Sequence, residues 1–249
     1  MRGNPGLGFR YLVRGARLLT APGIRLFVLI PLLLNITVFA LLISLSVAQF
    51  RRWMASPLAW LPDWLDFLSW LLWPLAVLLL LVVVMYGFSI IANLIASPFN
   101  GLLAEKVEEQ LTGRSAGGGA VDALKDAPRA IGKEFRKILY YVPRALLVLA
   151  IGFVPLLNLA SPLLWFALGA WMMALQYCDY PMDNHRYSLR QVRQRLGGER
   201  LTALGFGAGV MFGTMVPGLN FLIMPAAVCG ATIYWVERLK TNAEPLARQ

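Results

Sequence analysis

The chain has 249 residues, of which 58% are hydrophobic and only 14% are charged, whereas about a quarter of the residues in soluble domains are charged. This composition excludes an ordinary soluble globular protein. The two cysteines, Cys178 and Cys229, and the single histidine show no metal-ligand spacing, and the sequence contains no phosphate-binding GxxxxGK loop. We therefore expect no metal, no cofactor and no enzymatic activity, and we predict that both cysteines are buried small hydrophobes.

Charged residues are segregated along the chain and leave four runs without Asp, Glu, Lys or Arg. These runs are Leu26–Phe50, Phe67–Ala104, Ala145–Cys178 and Leu201–Val236. Each exceeds the roughly 20 apolar residues that a helix needs to cross the hydrocarbon core. The predicted fold class is an all-α integral membrane protein with a single membrane domain over residues 1–249. The first run starts too late and is too long for a cleavable signal peptide.

Residues 1–25 are the first predicted element, an amphipathic helix with an apolar stripe beside three arginines. The stripe consists of Phe9, Leu12, Val13, Ala16 and Leu19, and the arginines are Arg10, Arg14 and Arg17. Two interpretations are open. The helix lies on anionic lipid, or it packs on the protein's own cytoplasmic part.

Residues 26–50 and 67–104 are predicted to form two long transmembrane helices. The segment between them carries three tryptophans and two prolines, as expected of an interfacial belt. The second run would be about 57 Å long if it were wholly helical, so we expect it to protrude beyond the bilayer. Pro98 argues against a continuous helix there. Residues 105–144 are polar and basic, and they predict a cytoplasmic segment with an amphipathic helix.

The last two runs, 145–178 and 201–236, are each interrupted near the middle by the pattern Val-Pro-x-Leu-Asn, with a second proline after each copy. The arms on either side are roughly 10–17 residues, or about 15–25 Å of helix, which is short for a crossing. We therefore predict two re-entrant, hemi-penetrating helical hairpins, whose breaks must line protein or a water-filled cavity. The alternatives are four or six ordinary spans; six would place Asn158 and Asn220 in outside turns.

Lysine and arginine are unevenly distributed among the loops, with eight in residues 105–144, five in 179–200 and five in 1–25. The segment 51–66 has only two, against two aspartates. Positive residues mark the cytoplasmic side of a membrane protein. This pattern predicts a multi-pass protein of the bacterial inner membrane with both termini in the cytoplasm.

The start of the first apolar run is a candidate site for a small anion. Thr20 is predicted to cap this helix, and Pro22 is predicted to lie in its first turn. Gly23 would let an anion approach the free N–H groups at the positive end of the helix. Arg25 would add a fixed charge and parallel hydrogen bonds. The alternative is a plain membrane anchor, because arginines are common at helix starts.

Two further polar groups lie at the membrane boundary. Asn93, Ser97 and Asn100 share a helical face near Glu105, and they either line a path or join helices by hydrogen bonds. The residues from Gln176 to His185 include two acids, which we expect to cap helices or to pair with arginines. No activated nucleophile accompanies them.

At these residues the sequence resembles the CysZ-type sulfate permeases, and the resemblance covers nearly the whole length. It is carried by five blocks: Pro22–Arg25 with Phe27-Val28 and Pro31-Leu32 through Asn35; Leu72–Val77; Pro98–Glu105; Gln176–Pro181 with Asp183–His185; and Met224-Pro225 through Val228–Thr232.

The resemblance implies a permease that takes up sulfate across the inner membrane for cysteine biosynthesis. It implies two long transmembrane helices with hemi-penetrating hairpins, and a homo-oligomer for which a hexamer is one candidate. Membrane lipid is the other expected partner, and we expect no nucleic-acid partner. The sulfate site of the family maps onto Gly23, Ile24 and Arg25, and members often have a second arginine where this chain has Leu26. The pore or pathway candidates are Asn35, Asn93, Asn100, Glu105, Asp179 and Asp183.

We expect channel-like passage through an oligomer, because two spans and two shallow hairpins do not enclose a polar path by themselves. Moving a dianion into a negative interior opposes about 4.6 kcal/mol per 100 mV, so passive entry requires rapid consumption of sulfate inside. Proton-coupled symport is an alternative, because Glu105, Asp179 and Asp183 lie at the boundary. A non-transporting membrane scaffold that binds anionic lipid or a partner is the other alternative.

Overall fold

The computed structural model of the chain describes residues 3–55, 74–75, 77–82, 84, 99–114, 127–216 and 219–240. These residues form helices and turns and contain no strand, which confirms the predicted all-α class. The helices are α1 (Pro5–Leu18), α2 (Arg25–Ala55), α3 (99–112), α4 (Ala127–Gly152), α5 (Ser161–Asn184), α6 (Leu189–Gly198), α7 (Arg200–Thr214) and α8 (Asn220–Tyr234). A 3-10 turn, Leu157–Ala160, precedes α5, and a π-helical turn, Trp235–Leu239, continues α8.

The chain divides into two compact units, one made of Met1–Val28 with Pro98–Gln249 and the other of Leu29–Ser97. In the second unit, many of the described residues are large apolar side chains exposed on the surface, as at Leu33 and Leu79 with 61% and 63% exposure. Most of the predicted span over residues 67–104, including Asn93, lies outside the described residues.

Among the described residues, three helical segments are long and apolar enough to cross a membrane: Arg25–Gln49, Leu157–Asn184 and Phe221–Leu239. The first exposes large aliphatic side chains along its length, an arrangement that suits hydrocarbon and not water. The protein is therefore a helical membrane protein. Its two cysteines are free and buried, which confirms the prediction that they are small hydrophobic core residues.

Helix α1 packs on α7 and α8 through its buried residues Gly8, Tyr11, Leu12 and Gly15. The predicted apolar stripe is not the buried face of α1, because Phe9 and Val13 are 53% and 36% exposed and Ala16 is exposed as well. Close backbone contact decides the buried face, since a Cβ at Gly8 would overlap the backbone of α7 and a Cβ at Gly15 that of α8. This packing favours the second interpretation of the N-terminal segment.

Helices α4 and α5 form the first hairpin, which reverses at residues 153–160, where the Val-Pro-x-Leu-Asn pattern lies. The expected arm length is wrong here, because the two helices have 26 and 24 residues. Both continue into the charged segments that flank the apolar run, and α5 alone is about 36 Å long.

Helices α7 and α8 form the second hairpin, with 15 residues each. Its break falls at the second copy of the pattern, of which residues 217–218 lie outside the described ranges. The tips of both hairpins expose large apolar side chains, among them Phe153, Leu156 and Leu159 in the first and Phe212, Val216 and Phe221 in the second. The opposite ends of the hairpins are buried against α1, α3 and α6, so each hairpin has an apolar tip and a packed base.

Candidate anion site and its supporting network

A tight turn connects α1 to α2 and presents the residues predicted to bind an anion. The N–H of Ile24 donates to the carbonyl of Ala21 at 3.1 Å, with Pro22 and Gly23 as the two central residues. Gly23 has a φ of 86°, as the third position of a type II turn requires, and proline suits the second. Because this conformation is strained for residues with a Cβ, the Pro-Gly pair fixes the turn.

The predicted helix start is wrong in two details. Thr20 does not cap α2, since its hydroxyl donates to the carbonyl of Arg17 at 3.2 Å, at the end of α1. Pro22 precedes α2, which begins at Arg25. The turn chemistry of Pro-Gly outweighed the helix-start signal, because the positive φ of Gly23 is incompatible with the first turn of a right-handed helix.

Ile24 and Arg25 have opposite environments. The Ile24 side chain is fully buried in the core and anchors the turn, whereas Arg25 is exposed and forms no ion pair within the described part of the chain. The backbone N–H groups of both residues donate to the Ala21 carbonyl, at 3.1 and 3.3 Å. The N–H of Gly23 has no hydrogen-bond partner among the described residues. The turn therefore offers an anion one guanidinium and one glycine N–H at the positive end of a helix.

Helix α3 supports this turn. The side-chain amide of Gln110 donates to the Pro22 carbonyl at 3.0 Å, and a Cβ at Gly23 would lie 3.2 Å from the same amide nitrogen. On the buried face of α3, Leu103 and Val107 belong to the same core cluster as Ile24. The position of the turn thus depends on a helix that lies 88 residues away in the sequence.

The buried face of α3 also carries a carboxylate, Glu108, which contacts a histidine and a lysine. Both oxygens of Glu108 lie 2.9 Å from His185 Nε2, and Oε1 lies 2.9 Å from Lys240 Nζ. The Glu108 side chain is only 2% exposed, and the His185 ring packs 5.5 Å from that of Trp235. Burial raises the pKa of Glu108, but hydrogen bonds from His185 and Lys240 outweigh it, so the net pKa is lowered.

Two predicted pathway acids, Asp179 and Asp183, lie in a cluster of ion pairs between α4 and α5. Lys133 Nζ lies 2.5 Å from an Asp179 oxygen and 2.8 Å from an Asp183 oxygen. Lys137 pairs with Asp179 at 2.8 Å, and Arg129 pairs with Asp183 at 3.3 Å. Burial lowers the pKa of Lys137, but the nearby carboxylates, chiefly that of Asp179, raise it by more. Both acids therefore join the two arms of the first hairpin.

The remaining candidates have different surroundings. Asn35 lies within α2, and its buried Oδ1 has no hydrogen-bond partner among the described residues. Asn100 is half-buried in the first turn of α3, and Glu105 is half-buried one turn further on. The carbonyl of Gly101, between them, accepts from Asn184 Nδ2 at 2.9 Å, which ties α3 to the end of α5.

Sequence reasoning missed Gln110, Glu108 and Lys240, and it gave His185 no role. A local signal existed for only one part of the network. Lys133 and Lys137 are four residues apart, as are Asp179 and Asp183, so each pair lies on one helix face. The two pairs carry opposite charges and can therefore form ion pairs with each other. The contacts of Gln110 and Glu108 join distant segments and leave no local pattern.

The class follows from the exposed apolar hairpin tips, their packed bases and an arginine without an ion pair among the described residues at the start of an apolar helix. The chain is a helical membrane protein with a candidate anion site.

Comparison with known proteins identifies the family. The sequence profile described as "Sulfate transporter CysZ/Etoposide-induced protein 2.4" matches residues 11–225. A protein of Pseudomonas aeruginosa named "Sulfate transporter CysZ" is 46% identical over 231 residues, which cover 92% of this chain and 94% of that protein. One of the same name from Pectobacterium atrosepticum is 45% identical over 244 residues, 97% of this chain and 89% of the other. The chain belongs to the sulfate transporter CysZ family.

Proposed function

We propose that this chain is a sulfate permease whose anion site lies at the turn before α2. The observation that carries the proposal is Arg25, an exposed guanidinium without an ion-pair partner in the described ranges, fixed beside the Pro22-Gly23 turn at the start of a 25-residue apolar segment. Relatives named sulfate transporters support sulfate as the substrate. The family is a transporter family, so no enzymatic activity is assigned.

Each residue of the turn has a different proposed role in sulfate binding. Arg25 binds the dianion through parallel hydrogen bonds, the N–H of Gly23 adds a donor, and the buried Ile24 holds both in place. Asn35, Asn93, Asn100 and Glu105 are kept as path candidates. Of these, Asn35 has an amide oxygen without a hydrogen-bond partner among the described residues, which fits a wet path better than a dry helix contact. Asp179 and Asp183 are assigned a supporting role, because lysines and an arginine neutralise them.

The two hairpins are proposed to be re-entrant, with both termini in the cytoplasm of a bacterial cell and the protein in the inner membrane as a single membrane domain. The apolar tips support insertion into hydrocarbon, and the charged bases support a cytoplasmic position. The 15-residue arms of the second hairpin, about 22 Å each, favour re-entry. The longer α5 is compatible with a full crossing, so cysteine accessibility at Leu156 and Leu219 distinguishes the two.

The transport unit is proposed to be a homo-oligomer, with a hexamer as one candidate by family resemblance, that passes sulfate in a channel-like manner for cysteine biosynthesis. Two spans and two shallow hairpins are too few to enclose a polar path, and the exposed apolar side chains of α2 and α4 offer surface for further copies or for lipid.

A second candidate is proton-coupled symport, favoured by the contact that places the buried Glu108 carboxylate 2.9 Å from the ring nitrogen Nε2 of His185. Sulfate uptake into liposomes with and without an inward proton gradient separates the two. Channel-like passage predicts equal initial rates, and symport predicts a rate that rises several-fold with the gradient.

The binding proposal is tested with Arg25→Ala and the matched variant Arg17→Ala, which removes an exposed arginine from α1. Labelled sulfate binding to the purified full chain should fall at least about tenfold in the first variant, the loss of one charge-assisted contact, and stay unchanged in the second. Equal sulfate affinity in both variants, with both folded, would overturn the assignment.

A further inference from the structure

A second basic site, separate from the turn before α2, lies between α4, α5, α6 and α7. It is a cavity of about 740 Å³, a volume typical of small-ligand sites. Its lining includes Tyr140, Trp171, Arg190, Arg193, Arg200 and Leu204. An adjoining cavity of about 460 Å³ shares Tyr140, Arg190 and Arg193 and adds Leu139, Arg136 and Arg144.

Tyr140 organises the arginines of this site. The guanidinium carbons of Arg144 and Arg193 lie 3.6 and 4.0 Å from the centre of its ring. Trp171 Nε1 donates to the Tyr140 hydroxyl at 3.2 Å, and Arg144 Nη1 donates to the Tyr140 carbonyl at 2.6 Å. A stacked guanidinium keeps N–H donors free at its edge. The Tyr140 ring, fixed by Trp171, therefore positions two guanidinium groups that can still donate to an anion.

The arginines of this site have no carboxylate partner in the part of the chain that the structure describes. No ion pair within the described part of the chain involves Arg136, Arg144, Arg190, Arg193 or Arg200. Elsewhere in the fold, Arg14 and Arg238 each pair with a glutamate at 2.6 and 2.9 Å. Like charges held together repel, so this cluster needs a negative group that the described residues do not provide.

The cluster also borders an apolar surface. Arg136, Tyr140 and Arg144 follow one another at four-residue intervals and therefore form one row along α4. Leu139 lines the adjoining cavity, and Leu147 lies eleven residues after Arg136, close to the same row. These two leucines are 64% and 62% exposed. A free inorganic anion would gain nothing from these leucines, whereas a lipid would place its head group on the arginines and its chains on the leucines.

We propose that this cavity binds the phosphate group of an anionic phospholipid. Guanidinium groups recognise phosphate through parallel charge-assisted hydrogen bonds, and basic pockets beside membrane helices on the cytoplasmic side are suited to such head groups. The bound lipid neutralises the arginine cluster and fixes the base of the first hairpin at the membrane surface.

The test compares the wild-type full chain, the double variant Arg190→Gln with Arg193→Gln, and a charge-matched control, Arg17→Gln with Arg114→Gln, whose arginines are exposed and lie outside the cavity. Each protein in neutral detergent is titrated with dioctanoyl phosphatidylglycerol or dioctanoyl phosphatidylcholine, and bound lipid is counted by native mass spectrometry. Parallel titrations add inorganic phosphate or sulfate at the same concentration.

Phosphatidylglycerol should bind the wild type and the control more tightly than phosphatidylcholine. The double variant should weaken that binding by about thirtyfold, since each arginine near an anionic lipid is worth about fivefold. Unchanged binding in the double variant, or displacement of the lipid by phosphate or sulfate, would overturn the proposal. If the double variant does not fold, Arg190→Gln alone is used. This variant should fold, because the Arg190 side chain is exposed and forms no ion pair within the described part of the chain, and it should weaken binding by about fivefold.

Discussion

The two hairpins share the Val-Pro-x-Leu-Asn break but are held to the rest of the protein by different interactions. In the first, α4 and α5 are joined at their base by buried ion pairs, with Lys133 and Lys137 only 7% and 4% exposed. In the second, α7 and α8 are joined to α1 by glycine contacts in which backbones touch, as at Gly205 and Gly230. The same turn motif therefore closes two hairpins with different chemistry at their bases.

This difference explains the unequal arms. An ion-paired base requires the helices to continue into the polar segments that carry the charges, so α4 and α5 grow to 26 and 24 residues. A glycine base requires no charged extension, because small residues let helices approach within backbone contact, and α7 and α8 stay at 15 residues. The stability of the ion-paired hairpin base should therefore depend on charge and pH, and the stability of the glycine-packed one on side-chain size.

The largest effect is expected for Gly15→Val at the glycine base. The added side chain would overlap the Ala226 carbonyl and the backbone of Gly230. Because backbone atoms cannot rotate away as a side chain does, we expect a cost of more than about 5 kcal/mol, above the usual range for overpacking. We expect no monodisperse protein by size-exclusion chromatography in detergent. Gly132→Ala is the control, since a Cβ there meets nothing within 4 Å. A well-folded Gly15→Val protein would refute close packing between α1 and α8.

A smaller loss is expected for Asp179→Asn at the ion-paired base. It leaves Lys137 and Lys133 without their shared carboxylate, and breaking a buried pair from one side costs about 3–5 kcal/mol. The apparent Tm should fall by more than for Asp183→Asn, because the Asp183 side chain is 25% exposed while that of Asp179 is 7% exposed. Equal Tm values for the two variants would show that burial does not set the strength of this base.

The contact of Glu108 with His185 and Lys240 predicts a dependence of stability on pH. The pKa of Glu108 is lower in the folded protein than its ordinary value, so its contribution is present above that ordinary value and is lost as the pH falls through the lowered pKa. The apparent Tm of the wild type should therefore drop more between pH 7 and pH 3 than that of Glu108→Gln. An equal decrease of Tm with pH in the wild type and in Glu108→Gln would contradict the contact assigned to Glu108.

The smallest effect on stability is expected for Gln110→Ala, which removes one neutral hydrogen bond, worth about 1 kcal/mol. The apparent Tm should fall by about 2–4 °C, whereas sulfate affinity should fall more noticeably because the Pro22 carbonyl loses its partner. Gln194→Ala, at an exposed position of α6, is the control. A lower Tm with unchanged sulfate affinity would contradict the proposal that α3 supports the anion site.

Local patterns in the sequence predicted part of this architecture. The uncharged runs and the paired breaks predicted the helical membrane class and both hairpin turns, because hydrocarbon imposes length and polarity on the chain. The lengths of α4 and α5 and the buried face of α1 were wrong, since they depend on lysine–aspartate pairing and on glycine contacts between distant segments. The close approach of an anion at Gly23 stays a prediction, and the contacts from α3 that hold its turn left no local pattern in the sequence.

Sulfate flux into liposomes that contain the purified full chain tests the central claim most directly. Labelled sulfate should enter liposomes with the wild-type protein down an imposed gradient, and Arg25→Ala at equal protein content should reduce the initial rate by at least about tenfold, while Arg17→Ala leaves it unchanged. Liposomes that stay sealed to sulfate around folded wild-type protein, or that conduct equally well with Arg25→Ala, would contradict the account.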